Sequence, residues 1–497
     1  MKKFIALTLM VLMLSSPAGP LSAAEKRELV VGVVQVTNNF DPYGAYGDEA
    51  YGHMQVYDTL VNRDKDGRII GSAAESWRIS PDGKTYTLKL KRGVRFTNGS
   101  AFDAKDAKFN VDKGKESPYT NWAMAGVDKC EAVDDSTVLI TLTNPDISFM
   151  EKLTWLYLVD KETYEAAGGD YGKTAETTVG SGPYKLVEWK PGEMALFEAN
   201  EDYFAGKAKI ERARFESMSD ANAAIISLQT GETGLYIHDV PSISIASLSK
   251  NANVKVTSYP SYVFMDVLMN CEKGTFADLR ARRAVALGVD REKMFLIGTE
   301  GQGVIVDYPG GPDYTGNPNT KIFPERNADE AAEIVKDTGL QGKSITIKTM
   351  DTDPWPKLAT ALQDDLNNIG FDAKVEILDN STYSQEVWQN GNYEIAISRY
   401  WSGTKDMSEV MNLLETGHSM NFSHYSNREL DPLLVDAAAV SDPAERAKIY
   451  EKAARLFSPD FPLIPLFYTN GSRAYSSELS VDEGSVQYDR IYYYSWK

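Results

Sequence analysis

Between residues 73 and 111 the chain reads AAESWRISPDGKTYTLKLKRGVRFTNGSAFDAKDAKFNV, and its apolar positions change period along the way. Tyr86, Leu88 and Leu90 alternate with Thr85, Thr87, Lys89 and Lys91, the two-residue repeat of a strand with one wet face. Asp82-Gly83 before it supplies the positive-φ positions of a tight turn. Asn98-Gly99 marks a second turn, after which Asp103 can cap a helix carrying Ala107 and Val111 one turn apart, with Asp106 complementing the helix dipole. Nothing in this block is arranged for chemistry; these are packing elements.

Further along, Leu358, Leu362, Leu366 and Ile369 recur at helical spacing, Gly370 stops the helix, and AKVEIL at 373–378 follows as a strand. Another helix leads to a strand from Tyr393 through Trp401. Asp442-Pro443-Ala444-Glu445 has the form of a capping box with proline at the first helical position. Ile449, Ala453, Leu456 and Phe457 then give a buried stripe, and PLIPLFY returns the chain as a buried strand. Crossovers of this kind cover both faces of a sheet and place ligands at the carboxyl ends of its strands. A chain of 497 residues suggests two or three compact units. With no low-complexity linker and no internal repeat, lobes joined by strands that cross back and forth are expected.

The start of the chain changes the compartment. Lys2 and Lys3 precede an apolar run from Phe4 to Leu14, then Pro17, Gly19, Pro20 and the small residues Ser22-Ala23-Ala24, so residues 1–24 read as a signal peptide cleaved before Glu25. The apolar run falls short of the roughly 20 residues that span a bilayer. No cysteine near the cleavage site offers a lipid attachment point, and a free periplasmic protein is expected. Removing two lysines moves the formal charge from -19 to -21. With no run of Lys or Arg to overcome that acidity, nucleic acid is excluded as a partner. Cys130 and Cys271 are the two cysteines. They are left open as paired, free, or one of each, and there is no CxxC motif.

The 73–111 block does not stand alone. LVVGVVQVTNNFDP at 29–42, VYDTLVNRDKDGRI at 56–69, SGPYKLVEWKPGEMALFEANEDYF at 181–204, FADLRARRAVALGVDREKM at 276–294 and ERNADEAAEIVKDTGL at 325–340 follow in order. Together they resemble the extracytoplasmic solute-binding proteins of peptide-type and nickel-type ABC importers, the dipeptide/oligopeptide-binding family 5. The resemblance implies an α/β fold, periplasmic binding protein type II, with two lobes, an extra subdomain in the first lobe, and crossing strands between them. Expected boundaries are 25–55, 184–260 and 470–497 for the lobe I core, 56–183 for the extra subdomain, and 261–469 for lobe II. Closure would turn about hinges near Tyr184 and Tyr262. The implied function is capture of a peptide or peptide-like ligand in the interlobe cleft and delivery to the membrane permease of an importer with its ATPase subunits. No cofactor and a monomeric state are expected. A nickel or metallophore-complex binder of the same family is the alternative.

The family places much of its pocket in EIAISRYWSGTKDMSEVMNLLETGH, residues 394–418. Arg399, Tyr400 and Trp401 emerge at a strand's carboxyl end. Arg399 offers a planar donor fork for a carboxylate, and Trp401 a broad apolar face. Peptide-binding members typically set an aspartate shortly after this tryptophan to pair with the ligand's α-amine. Here Thr404 stands at the first such position, and Asp406 matches the second without its proline. Either Asp406 takes the amine, or the ligand has no free α-amine. His418 lies near where nickel-type members touch their metal complex, and is the candidate for that alternative. Thr37, Tyr51 and Tyr262 complete the candidate pocket, Tyr262 as the opening residue of a strand into the second lobe. An exported hydrolase is the remote rival; the chain carries no G-x-S-x-G, no H-E-x-x-H and no cysteine with a plausible histidine partner.

Overall fold

The computed structural model describes residues 27–44, 50–64, 68–237, 240–481 and 490–497. The expected signal peptide and its cleavage point lie outside the described residues.

Two long strands, Val254–Met269 and Leu463–Ser476, pair antiparallel along nearly their whole length. On one side, Ile395–Trp401 pairs with Val254–Met269, followed outward by the parallel strands Ser344–Met350 and Asp372–Leu378. On the other, Leu235–Tyr236 pairs with Leu463–Ser476 and leads to Glu28–Val33, Arg212–Ser217, Met194–Ala199 and Tyr184–Lys190. Both halves of the molecule therefore belong to a single 11-stranded sheet, whose remaining member, Gly303–Ile305, also pairs with Leu463–Ser476. The register slips between Pro260 and Phe264. Tyr262 sits in that slip, inside one continuous strand, so it does not open a strand as the sequence suggested. Tyr184 is likewise not at a crossing: it is fully buried, begins the edge strand of the sheet, and donates its hydroxyl to the Ile210 carbonyl at 2.9 Å.

Residues 74–142 hold a separate four-stranded antiparallel sheet, in the order Ala74–Ile79, Thr85–Leu90, Thr137–Leu142, Val127–Asp134. In Thr85–Leu90 the tyrosine and both leucines point inward, following the alternation. Gly83 has φ 70° and Gly99 φ 92°, as their turns require. The helix Ala104–Glu116 begins with a full reciprocal box: Asp103 accepts from the Lys105 and Asp106 N–H groups, and Asp106 accepts from the Asp103 N–H. At Asp442 only half of the expected box forms. Asp442 accepts the Glu445 N–H at 2.8 Å, while the Glu445 carboxylate turns to Lys448 instead. The small sheet shares one apolar core with the first half of the large one. The return segment at 179–184 lies against it closely; a Cβ on Gly180 or Gly182 would stand 2.2 or 2.5 Å from the Val56 carbonyl oxygen.

In the second half, the helix Trp355–Asn368 buries Leu358, Leu362 and Leu366 completely, each contributing about 1.5–3 kcal/mol against exposure. Cys130 and Cys271 are both free thiols, and burial pushes them up to about 12 and about 11. No helix among the described residues is long and apolar enough to cross a membrane.

One buried acid stands apart. Asp266, in the middle of Val254–Met269, is 4 % exposed, and its Oδ1 has no hydrogen-bond partner. Desolvation raises its carboxyl to about 7, against a hydrogen bond from Ser398. A carboxyl raised on folding lends stability that is fully present below its unfolded pKa and is lost as pH rises through the folded value. Asp266→Asn is therefore expected to melt higher than the parent at pH 8, with the gap closing by pH 4. Thermal scans across that range check it, and a gap independent of pH would show that Asp266 does not titrate there.

Candidate ligand-binding cleft

The strand Ile395–Trp401 buries Ile395, Ala396 and Ile397 and delivers Arg399, Tyr400 and Trp401 at its carboxyl end. Arg399 is exposed, and its side chain makes no hydrogen bond or ion pair with the described residues. Tyr400 points the other way, 5 % exposed in the apolar core. Trp401 is half-buried and meets two indoles edge to face, Trp155 at 5.2 Å and Trp122 at 6.0 Å between centroids. Both partners come from the first half of the chain, so the contact joins the two halves of the molecule.

The loop after Trp401 is folded around a carboxylate that sequence reasoning missed. Glu409 accepts the Gly403 N–H at 2.7 Å and the Thr404 hydroxyl at 2.6 Å, with the Tyr400 hydroxyl at 3.4 Å. Burial raises its pKa against those hydrogen bonds. Thr404 is fully buried here and spends its hydroxyl on Glu409. Asp406 caps the short helix Met407–Val410, accepting the Ser408 N–H at 2.9 Å, and its other oxygen lies 2.9 Å from Arg446. Neither side chain of that pair is more than 4 % exposed. Desolvation raises Asp406 and Arg446 opposes it. Both oxygens of the expected amine partner are thus engaged within lobe II.

Lys405 reaches back over the crossing strands. Its ammonium lies 5.0 Å above the Tyr262 ring and pairs with Asp313, while its backbone N–H donates to Glu151 at 3.2 Å. Arg63 closes the circuit, donating to the Tyr262 hydroxyl at 2.7 Å and to Glu151 at 2.9 Å. Tyr262 is 3 % exposed, and burial pushes its hydroxyl up to about 12. Burial also raises Glu151, with Arg63 opposing. Glu151, Trp122 and Trp155 carry no periodic or motif signal, and nothing in the 56–69 segment marks Arg63 as a partner of this loop. Only the fold brings them to the loop.

Thr37 and Tyr51 form a second group. They line a small cavity of about 10 Å³, room for no more than a water molecule, at the carboxyl end of Glu28–Val33, together with Gln35, Phe40, Phe197 and Phe215. The Thr37 hydroxyl donates to the Asn39 carbonyl at 2.6 Å, and the Thr37 carbonyl accepts the Trp189 indole N–H at 3.0 Å. His418 joins neither group by any hydrogen bond or ion pair among the described residues. Its Nδ1 accepts the Met420 N–H at 3.1 Å, and burial, then the charge of Lys152, lower its pKa.

Removing one partner of a buried ion pair strands the other charge, at a cost of about 3–5 kcal/mol. Asp406→Ala is expected to lower the urea midpoint accordingly at an unchanged m-value. A midpoint equal to the parent's would show that Asp406 is not holding Arg446.

The model for bacterial extracellular solute-binding proteins, family 5 Middle, matches residues 68–422. The glutathione-binding protein GsiB of Escherichia coli O1:K1 / APEC is 27% identical over 476 residues, 91% of each chain. The periplasmic binding protein DppA of Helicobacter pylori, solved with the peptide STSA, superposes with a TM-score of 0.83 at 25% identity over 95% of this chain and 98% of its own. The substrate-binding protein CtaP of Listeria monocytogenes gives 0.82 at 25% identity over 95% and 99%. This chain belongs to the bacterial extracellular solute-binding proteins of family 5.

Proposed function

We propose that the protein captures a peptide or peptide-like solute between its lobes and hands it to the membrane permease of an ABC importer, acting in the periplasm once its leader is removed. The observation that carries this reading is the meeting of two lobes at the carboxyl end of Ile395–Trp401. Trp401 and Lys405 come from one side, and Arg63, Glu151 and Trp155 from the other. A relative named for glutathione and a similar structure holding a peptide support the ligand class. The proposed lobe boundaries, near 260 and 470, fall where Pro260 faces Asn470 and the ladder slips, which makes that stretch the natural hinge.

Of the two alternatives left by the sequence, the loop favours a ligand whose α-amine is absent or held elsewhere. Thr404 carries no charge, and the Asp406 charge is already matched by Arg446. Arg399 is assigned the ligand carboxylate, because it is exposed and uncommitted beside Trp401. Thr37 and Tyr51 are assigned to the wall of the site on the first-lobe side. The nickel alternative is weaker. With Nδ1 accepting from Met420, a neutral His418 carries its proton on Nε2 and offers no free lone pair to a metal.

Native mass spectrometry of the mature protein, before and after denaturation and refolding, weighs any solute that co-purifies. A mass or set of masses built of amino-acid residues is expected; a small chelator carrying nickel would overturn the peptide reading. Returned to the refolded protein, that solute should raise the melting temperature of the parent and not of Arg399→Ala. The two unliganded melting temperatures should agree within a few degrees. A variant that unfolds would make Arg399 structural.

A further inference from the structure

Trp122 stands on the short helix Asn121–Met124 of the extra subdomain and remains 37% exposed, far more than an indole in a core. Its ring lies 6.1 Å from Trp155 and 6.0 Å from Trp401, and these two lie 5.2 Å from each other, all three pairs edge to face. Beneath the ring is the backbone of Gly403. A Cβ added there would stand 2.3 and 2.5 Å from ring carbons of Trp122, distances at which one of them has to move. Gly403 does not occupy the positive-φ region, so its backbone conformation is open to alanine. Glycine is required there by what approaches it and not by its own torsions.

The same glycine is held from both sides. Its N–H is taken by Glu409 of its own lobe at 2.7 Å, and its carbonyl accepts the Trp155 indole N–H of the opposite lobe at 2.8 Å. The next peptide but one continues the pattern, with the Lys405 N–H donated across to Glu151 at 3.2 Å. These contacts join protein to protein, and none of them needs a ligand to bridge it.

We propose that Trp122, seated on Gly403, is a closure latch that holds the two lobes together, with Trp155 and Trp401 as its packing partners. In this arrangement the closed form draws stability from the protein as well as from the solute. Trp122 is a positioning residue: it acts on ligand retention through the lobe contact. The assignment rests on the reading of the molecule as a two-lobed clamp, and is independent of which solute the clamp holds.

The test uses the full mature chain, stripped of solute by denaturation and refolding, in three variants: Gly403→Ala, Trp122→Ala and Trp122→Phe. Small-angle scattering is expected to give Gly403→Ala and Trp122→Ala a larger radius of gyration than the parent, with Trp122→Phe between them. The near-ultraviolet circular dichroism of the indole cluster should fall in the same order. Where a co-purified solute has been identified, its release should quicken by about tenfold in the two alanine variants, a change carried in koff. Trp122 is at the surface, so Trp122→Ala stays informative if Gly403→Ala does not fold. A Trp122→Ala protein with the parent's radius and dichroism would overturn the latch. The absence of any co-purifying solute would bear on ligand capture and leave these ligand-free measurements standing.

Discussion

The structure depends on one antiparallel pair. Val254–Met269 and Leu463–Ser476 run side by side, and each lends a different end to a different lobe. Leu235–Tyr236 attaches the first-lobe strands at Ala474 and Tyr475, while Ile395–Trp401 attaches the second-lobe strands along Val263–Met269. The wider of the two interruptions in their pairing is the slip after Pro260, a residue with no N–H to give to a ladder; the other falls between Met265 and Asp266. There Ser261 and Thr469 share a hydroxyl hydrogen bond at 2.7 Å in place of regular pairing. The proposed hinge between the lobes falls in this irregular stretch.

What the pair sets in place, the loop after Trp401 makes specific. Glu409 organises its peptides, Asp406 caps its helix and pins it to Arg446, and Lys405 spans to the opposite lobe. Each of these acids is held against a desolvation penalty by named donors, so the loop is ordered by its own contacts. A recognition loop ordered in advance loses little entropy when a solute arrives. The Arg399 side chain then remains as the part of the assigned site not consumed by structure.

Local features were legible in the sequence because they are written in neighbouring residues. The alternation of Tyr86, Leu88 and Leu90, the helical spacing of Leu358, Leu362 and Leu366, and the cap at Asp103 all appear as read. So does a strand that ends at Trp401. What could not be read is which distant residue each group spends itself on. Asp406 and Arg446 are forty residues apart, and Trp155 and Gly403 are 248. No periodicity reports such pairings, and an acid near a ligand loop looks the same in sequence whether it faces a solute or a buried guanidinium. Tyr262 shows the same limit in the backbone, since a strand that passes through a slip without stopping has the pattern of one that begins there.

The placement of Leu463–Ser476 also bears on how the chain comes to exist as a folded object. It is the last long strand in the sequence, yet it lies between Val254–Met269 and Leu235–Tyr236, in the interior of the sheet. Neither lobe can complete its ladder until residue 476 is available, and the pairings it makes join residues far apart in the chain, Val254 with Ser476 and Leu235 with Tyr475, an ordering that slows folding. A chain of this topology, emerging amino terminus first, leaves its large sheet open until nearly its whole length is through, while the small sheet of residues 74–142 has all its strands early.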